Sequence, residues 1–97
     1  MIKSFRTDAT CDIWNGEDTK RARKQVDSRI WKVCHRKLTV LNGADRLETL
    51  RSAGNQLEKL DSFRPGHVGI RINDKYRLTF RFEEGNAYEV DIVDYHD

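Results

Sequence analysis

Proline and cysteine are scarce in this chain of 97 residues, and each scarcity excludes something. Pro65 is the one proline, and there is neither a low-complexity tract nor an internal repeat, so nothing marks a linker. A chain this short encloses one core; a multi-domain enzyme is excluded, and residues 1–97 are expected to form one domain. Cys11 and Cys34 have 22 residues between them and no CxxC or Cys/His cluster, which argues against a zinc site and a disulfide and makes both small apolar side chains. No apolar run approaches the roughly 20 residues needed to cross a bilayer, and Met1-Ile2-Lys3-Ser4-Phe5-Arg6 lacks the core of a signal peptide. A cytoplasmic protein with no membrane partner is expected.

What is present suffices for a thin core. Apolar residues make up 37% and charged ones 35%, with two Trp, four Phe and three Tyr, which argues against disorder. The formal net charge of +2 hides an asymmetry. Residues 1–60 carry 13 Lys or Arg against 8 Asp or Glu, whereas residues 61–97 carry 5 against 8. Between Lys20 and Lys37 eight cations, including Lys32, Arg36 and Lys37, face only Asp27. Such a block suits a polyanion such as RNA, and equally a solvated helix face or a surface for an acidic protein.

The patterning predicts helices first and strands after. Ile2–Phe5 alternates like a short strand, and a helix over about Asp8–Asn15 has Thr7 or Asp8 as N-cap and Gly16 past its end. Gly16–Lys24 is apolar only at Ala22 and reads as an exposed connection. Val26, Ile30, Val33, Cys34, Leu38 and Leu41 recur every three or four residues, predicting an amphipathic helix over about Asp27–Asn42. Asp45–Leu50 adds a turn or two, with Leu47 and Leu50 inward, before a loop around Ser52–Asn55. From Leu57 the period becomes two: Ile70 and Ile72, then Leu78, Phe80 and Phe82, then Tyr88, Val90 and Ile92 form the inward face of an antiparallel meander. A turn centred on Asp74 sets Arg71 opposite Arg77. One centred on Gly85 sets Arg81 opposite Glu89, Thr79 opposite Asp91 and Arg77 opposite Val93. Two arginines facing each other need an anion, or water and nearby carboxylates, between them.

The chain's final strand ends in Asp94-Tyr95-His96, a carboxylate, a phenol and an imidazole. Metal-free cleavage of RNA needs the 2′-OH deprotonated, charge on the phosphoryl group stabilised and the leaving 5′-oxygen protonated. Carboxylate and imidazole can move the protons, arginine can hold the charge, and tyrosine can stack on or position the nucleotide. By itself the tripeptide also fits plain surface residues.

Together with Met1-Ile2-Lys3-Ser4-Phe5, Trp14-Asn15-Gly16, Arg36-Lys37-Leu38, Leu57-Glu58-Lys59-Leu60, Ile70-Arg71-Ile72-Asn73-Asp74, Arg77 and Ile92-Val93-Asp94-Tyr95-His96, this ending resembles the HigB group of the RelE/ParE toxin superfamily over nearly its full length. The resemblance implies a RelE-like α+β fold: a short N-terminal strand and two to three helices on one face of a mainly antiparallel sheet of about four strands. It implies a ribosome-dependent mRNA interferase that cuts messenger in the 30S A site without metal or organic cofactor, neutralised by a HigA-like helix-turn-helix antitoxin. Carried over by position, Asp94, Tyr95 and His96 match the catalytic tail and Arg77 the phosphate-stabilising arginine, and the cations Lys32, Arg36, Lys37, Lys59, Arg64 and Arg71 become RNA contacts.

Departures bear on the rate. Glu58 occupies the position of a histidine in some members and is a further acid or base, unless it points into the sheet, while Asp61 replaces a lysine. The family's Gly-Asp-Arg reads Ser62-Phe63-Arg64, where the arginine either contacts RNA or anchors the loop. Trp14 and Trp31 read as packing or partner residues, His35 as exposed and His67 as a minor site candidate. Two alternatives share the fold: a non-catalytic, ParE-like inhibitor of DNA gyrase, and an inactive RNA- or antitoxin-binding module.

Overall fold

A computed structural model describes residues 1–52 and 56–95. Among these described residues, four α-helices precede a four-stranded antiparallel sheet of order β1-β2-β3-β4. The helices are α1 (Asp8–Trp14), α2 (Lys20–Gln25), α3 (Trp31–Gly43) and α4 (Leu47–Ser52); the strands are β1 (Leu57–Lys59), β2 (Val68–Arg71), β3 (Tyr76–Glu83) and β4 (Asn86–Asp94).

Thr7 caps α1 by accepting from the Thr10 amide at 3.3 Å, with Asp8 in the first turn where a negative charge complements the helix dipole. The expected long second helix is a 3₁₀ turn, Ser28–Ile30, leading into α3. Its stripe is the one the periodicity marks: Val26, Cys34, Leu38 and Leu41 are fully buried against Leu78, Phe80 and Ile92, with Ile30 and Val33 packed at the margin. Burial pushes the Cys34 thiol up to about 12. Iodoacetamide at neutral pH should therefore modify half-exposed Cys11 in the native protein and reach Cys34 only in denaturant; mass spectrometry of the native digest checks this.

Three local expectations are corrected. Gly16–Lys24 is not all connection, because α2 begins at Lys20. Its one apolar residue gives no period to read, yet Ala22 is fully buried, Thr19 caps the Ala22 amide at 3.2 Å, and Arg21 Nε donates to Asp12 at 2.6 Å. The Arg21 guanidinium, aided by the Thr19 hydroxyl, holds the Asp12 carboxyl down at about 2.

Ile2–Phe5 is bonded to the sheet as expected of a short strand but forms no continuous ladder. It touches the free edge of β4 through two isolated parallel bridges, Ile2 to Ala87 and Phe5 to Val90, and the fourth strand of the sheet is β1.

The third correction concerns register. Arg71 does pair with Arg77, Arg77 with Val93 and Thr79 with Asp91, but Arg81 pairs with Tyr88 instead of Glu89. Glu83 pairs with Asn86 across Glu84-Gly85, at φ 47° and 78°, a two-residue turn that needs positive φ at both central positions. That turn alone would leave the strands one residue out of step. A β-bulge, with Glu89 at φ 52°, restores the register before Thr79 meets Asp91. Beyond the bulge the faces exchange, so Ala87 is buried and Tyr88 turns to the side away from the helices, 5.0 Å beneath the Arg81 guanidinium. Arg81 still meets Glu89, Nε to Oε2 at 3.3 Å, because the bulge swings Glu89 to the same side. The expected loop at Ser52–Asn55 falls mainly on 53–55, outside the described residues.

Candidate functional site

Alternation along the sheet separates the candidate residues. The even-numbered positions of β2 and β3 face α3, and Arg71, Arg77 and Thr79 lie on the opposite face. Between β2 and β3, Asn73 Oδ1 accepts from the amides of Lys75 at 2.9 Å and Tyr76 at 2.7 Å, an Asx turn that shapes the hairpin beneath Arg77. The same turn exposes the Asn73 carbonyl, which accepts from Arg77 Nη1 at 2.7 Å while the Tyr76 carbonyl accepts at 3.1 Å. With only 12% of its side chain exposed, Arg77 is a guanidinium held in place by backbone.

Two candidates join it. Glu58 Oε1 lies 3.4 Å from Arg77 Nε, so Glu58 points to the arginine and not into the sheet. The Arg77 guanidinium lies 5.5 Å from the Tyr95 ring centroid, and the Tyr95 amide is tied to the Lys75 carbonyl at 2.8 Å. Arg71, opposite Arg77, pairs with Asp74, so each of the facing arginines has a carboxylate beside it.

Other candidates lie elsewhere. Asp94 alternates to the other side of β4, where its carboxylate meets the Lys75 ammonium at 3.7 Å. Lys59 pairs with Val68 in the row of Phe80, on the helix side of the sheet edge. Lys32 and Arg36 border a cavity of about 570 Å³ with Ile13, Trp31 and His35, and Lys37 belongs to the same helix, so the core separates all three from Arg77. His35 is exposed and stacks on Trp14 at 5.1 Å, and Trp31 Nε1 donates to the Val26 carbonyl at 2.9 Å. His67 is buried, with Nδ1 3.3 Å from the Pro65 carbonyl. His96 lies outside the described residues.

Arg64 has a partner that sequence order conceals. Its Nη1 donates to Thr79 Oγ1 at 3.1 Å and to Asp91 Oδ2 at 3.2 Å, while Oδ1 of Asp91 accepts from Thr7 at 2.9 Å, Thr10 at 3.0 Å and Gln25 at 3.0 Å. Only 4% of the Asp91 side chain is exposed, and the ion pair pins the 60–67 loop onto the sheet face. This loop also carries Phe63, to which the sequence pattern assigns no role. Its ring meets Tyr95 edge-on at 5.5 Å. An aromatic beside an arginine in a loop was the available signal, but the pairing with Tyr95 is tertiary.

A fixed arginine, a carboxylate and a phenol on one open face form an anion site with a proton acceptor beside it. The model of the RelE-like toxin of the type II toxin-antitoxin system HigB matches residues 3–96. The chain belongs to the HigB-like toxin family. Toxin HigB-1 of Vibrio cholerae serotype O1 is 39% identical over 72 residues, 73% of this chain and 75% of that protein. A Haemophilus influenzae protein of unassigned function is 31% identical over 84 residues, 86% of this chain and 80% of its own length. This is therefore a type II toxin, and an antitoxin is its partner. Among the described residues no helix is long and apolar enough to cross a membrane.

Proposed function

We propose that this toxin is a ribosome-dependent mRNA interferase, acting in the cytoplasm as one domain of 97 residues and held in check by a HigA-like helix-turn-helix antitoxin. The observation that carries the reading is the fixed Arg77 guanidinium with Glu58 at 3.4 Å and Tyr95 at 5.5 Å on one open sheet face. Arg77 takes the scissile phosphate, exchanging its long contact with Glu58 for a shorter one with phosphate oxygen, and Arg71 adds charge from the adjacent strand. Glu58 and His96 share the proton transfers, while Asp94, expected to join them, lies on the other side of β4 against Lys75 and steadies the strand end that carries Tyr95. The 2′-OH gives up its proton as its oxygen attacks phosphorus, the bond to the 5′-oxygen breaks, and that oxygen is protonated, leaving a cyclic phosphate and a 5′-OH. Of the carboxylates, Glu58 is the one beside Arg77 and suits the first transfer. Tyr95 positions the nucleotide. No metal or organic cofactor is called for.

Lys32, Arg36 and Lys37, with the core between them and Arg77, bind ribosomal RNA backbone together with Lys59 on the helix side of the sheet, while Arg64 anchors the 60–67 loop beside the message. Division of labour suits so small a chain, since the ribosome supplies substrate positioning that a larger enzyme builds for itself.

Primer extension on cellular mRNA after induction tests the reading. Discrete cuts that require translation, and that His96→Gln removes while the protein stays folded, are expected. Intact messages with relaxed plasmid DNA would instead indicate gyrase as the target, and binding to programmed ribosomes without cleavage would indicate an inactive module.

A further inference from the structure

Phe63 has no part in the chemistry above, yet 43% of it is exposed on the face that carries Arg77. A single exposed ring is ordinary on a protein surface, so its setting is what distinguishes this one. The ring is also held in place. The amides of Phe63 and Arg64 donate to the Leu60 carbonyl at 2.9 and 2.6 Å, the His67 amide donates to the Arg64 carbonyl at 3.0 Å, and the Arg64–Asp91 pair fastens the loop below.

Its surroundings narrow the choice of occupant. The Arg64 guanidinium stacks 5.0 Å from the Phe63 centroid, Tyr95 stands at 73° to it, and Tyr95 in turn lies against Arg77. Aromatic rings flanked by guanidiniums, next to a phosphate-binding arginine, are what an unpaired nucleobase stacks on. A protein side chain would cover the ring equally well but would make no use of the neighbouring Arg77 guanidinium, whose contact with Glu58 is a long 3.4 Å that a phosphate can replace.

We propose that Phe63, buttressed by Tyr95 and Arg64, is a nucleobase-stacking subsite that holds the base of a nucleotide flanking the phosphate at Arg77. This rests on the nuclease reading, and the experiment separates the two. Ribosomes are programmed with synthetic messages that carry either the ordinary base or an abasic nucleotide on each side of the cleaved bond, and single-turnover cleavage is measured. The wild type should lose about tenfold in rate on one of the two abasic messages. Phe63→Ala should lose about tenfold on the ordinary message and nothing further on that abasic one, whereas Phe63→Trp should keep the wild-type rate and the wild-type penalty.

The subsite is overturned if Phe63→Ala cuts the ordinary message at the wild-type rate, or loses equally on both messages, which would be a structural effect. Normal cleavage by Phe63→Ala together with escape from the antitoxin would overturn it in favour of protein docking. A wild type that cleaves no message removes the nuclease reading and the subsite with it.

Discussion

Arg77→Ala should lower cleavage on programmed ribosomes by about 100- to 1000-fold, the range expected when one preorganised donor to a developing oxyanion is removed. The fold should survive. Only 12% of the Arg77 side chain is exposed, so its removal leaves the carbonyls of Asn73 and Tyr76 short of a donor and costs about 1–3 kcal/mol, within what the domain can lose. Arg77→Lys should recover little of the rate, because an ammonium cannot hold both carbonyls and present a planar edge to phosphate. Single-turnover cleavage beside a thermal melt separates the two effects. Wild-type cleavage by Arg77→Ala would remove Arg77 from the chemistry and would leave Glu58 and Tyr95 without the group that brings them together.

Arg64→Ala should act through stability. Asp91 is almost wholly buried and would keep its bonds from Thr7, Thr10 and Gln25 but lose its countercharge. Breaking such a pair by removing one partner costs about 3 kcal/mol, which in a domain of this size lowers Tm by about 10–20 °C. Activity should fall as well, since the 60–67 loop would lose its anchor and Phe63 its place beside Tyr95. Adding Asp91→Asn to Arg64→Ala should restore part of the lost stability by removing the unpaired charge. If Arg64→Ala melts like the wild type and loses only RNA affinity, the arginine is a surface contact and not an anchor.

Much of the sheet was legible in advance because strand alternation is local. Pairing Arg71 with Arg77 and Thr79 with Asp91 needed only a period of two and a turn position. The same logic failed between Gly85 and Glu89, where the errors of a two-residue turn and a one-residue bulge cancel farther along the strand. Hence the expected pairs around Arg77 hold, while Tyr88 lies on the face opposite to the one its parity predicts. Helix α2 was missed for a different reason: its stability lies in a cap, one buried alanine and an ion pair to α1, none of which makes a hydrophobic period.

The candidate site divides along the same line. Sequence alone determined the fold class, the α3 stripe, the arginines facing each other and the resemblance that selects Arg77 and Tyr95, because periodicity, turns and motifs are written in residues close together in the chain. Tertiary structure alone decided that Glu58 reaches Arg77, that Asp94 turns away toward Lys75, that Arg64 anchors Asp91 and that Phe63 meets Tyr95. All four contacts join residues at least 19 positions apart, and each depends on which face a strand presents. Which side of the sheet a loop side chain lands on is set by packing, and no local pattern records it.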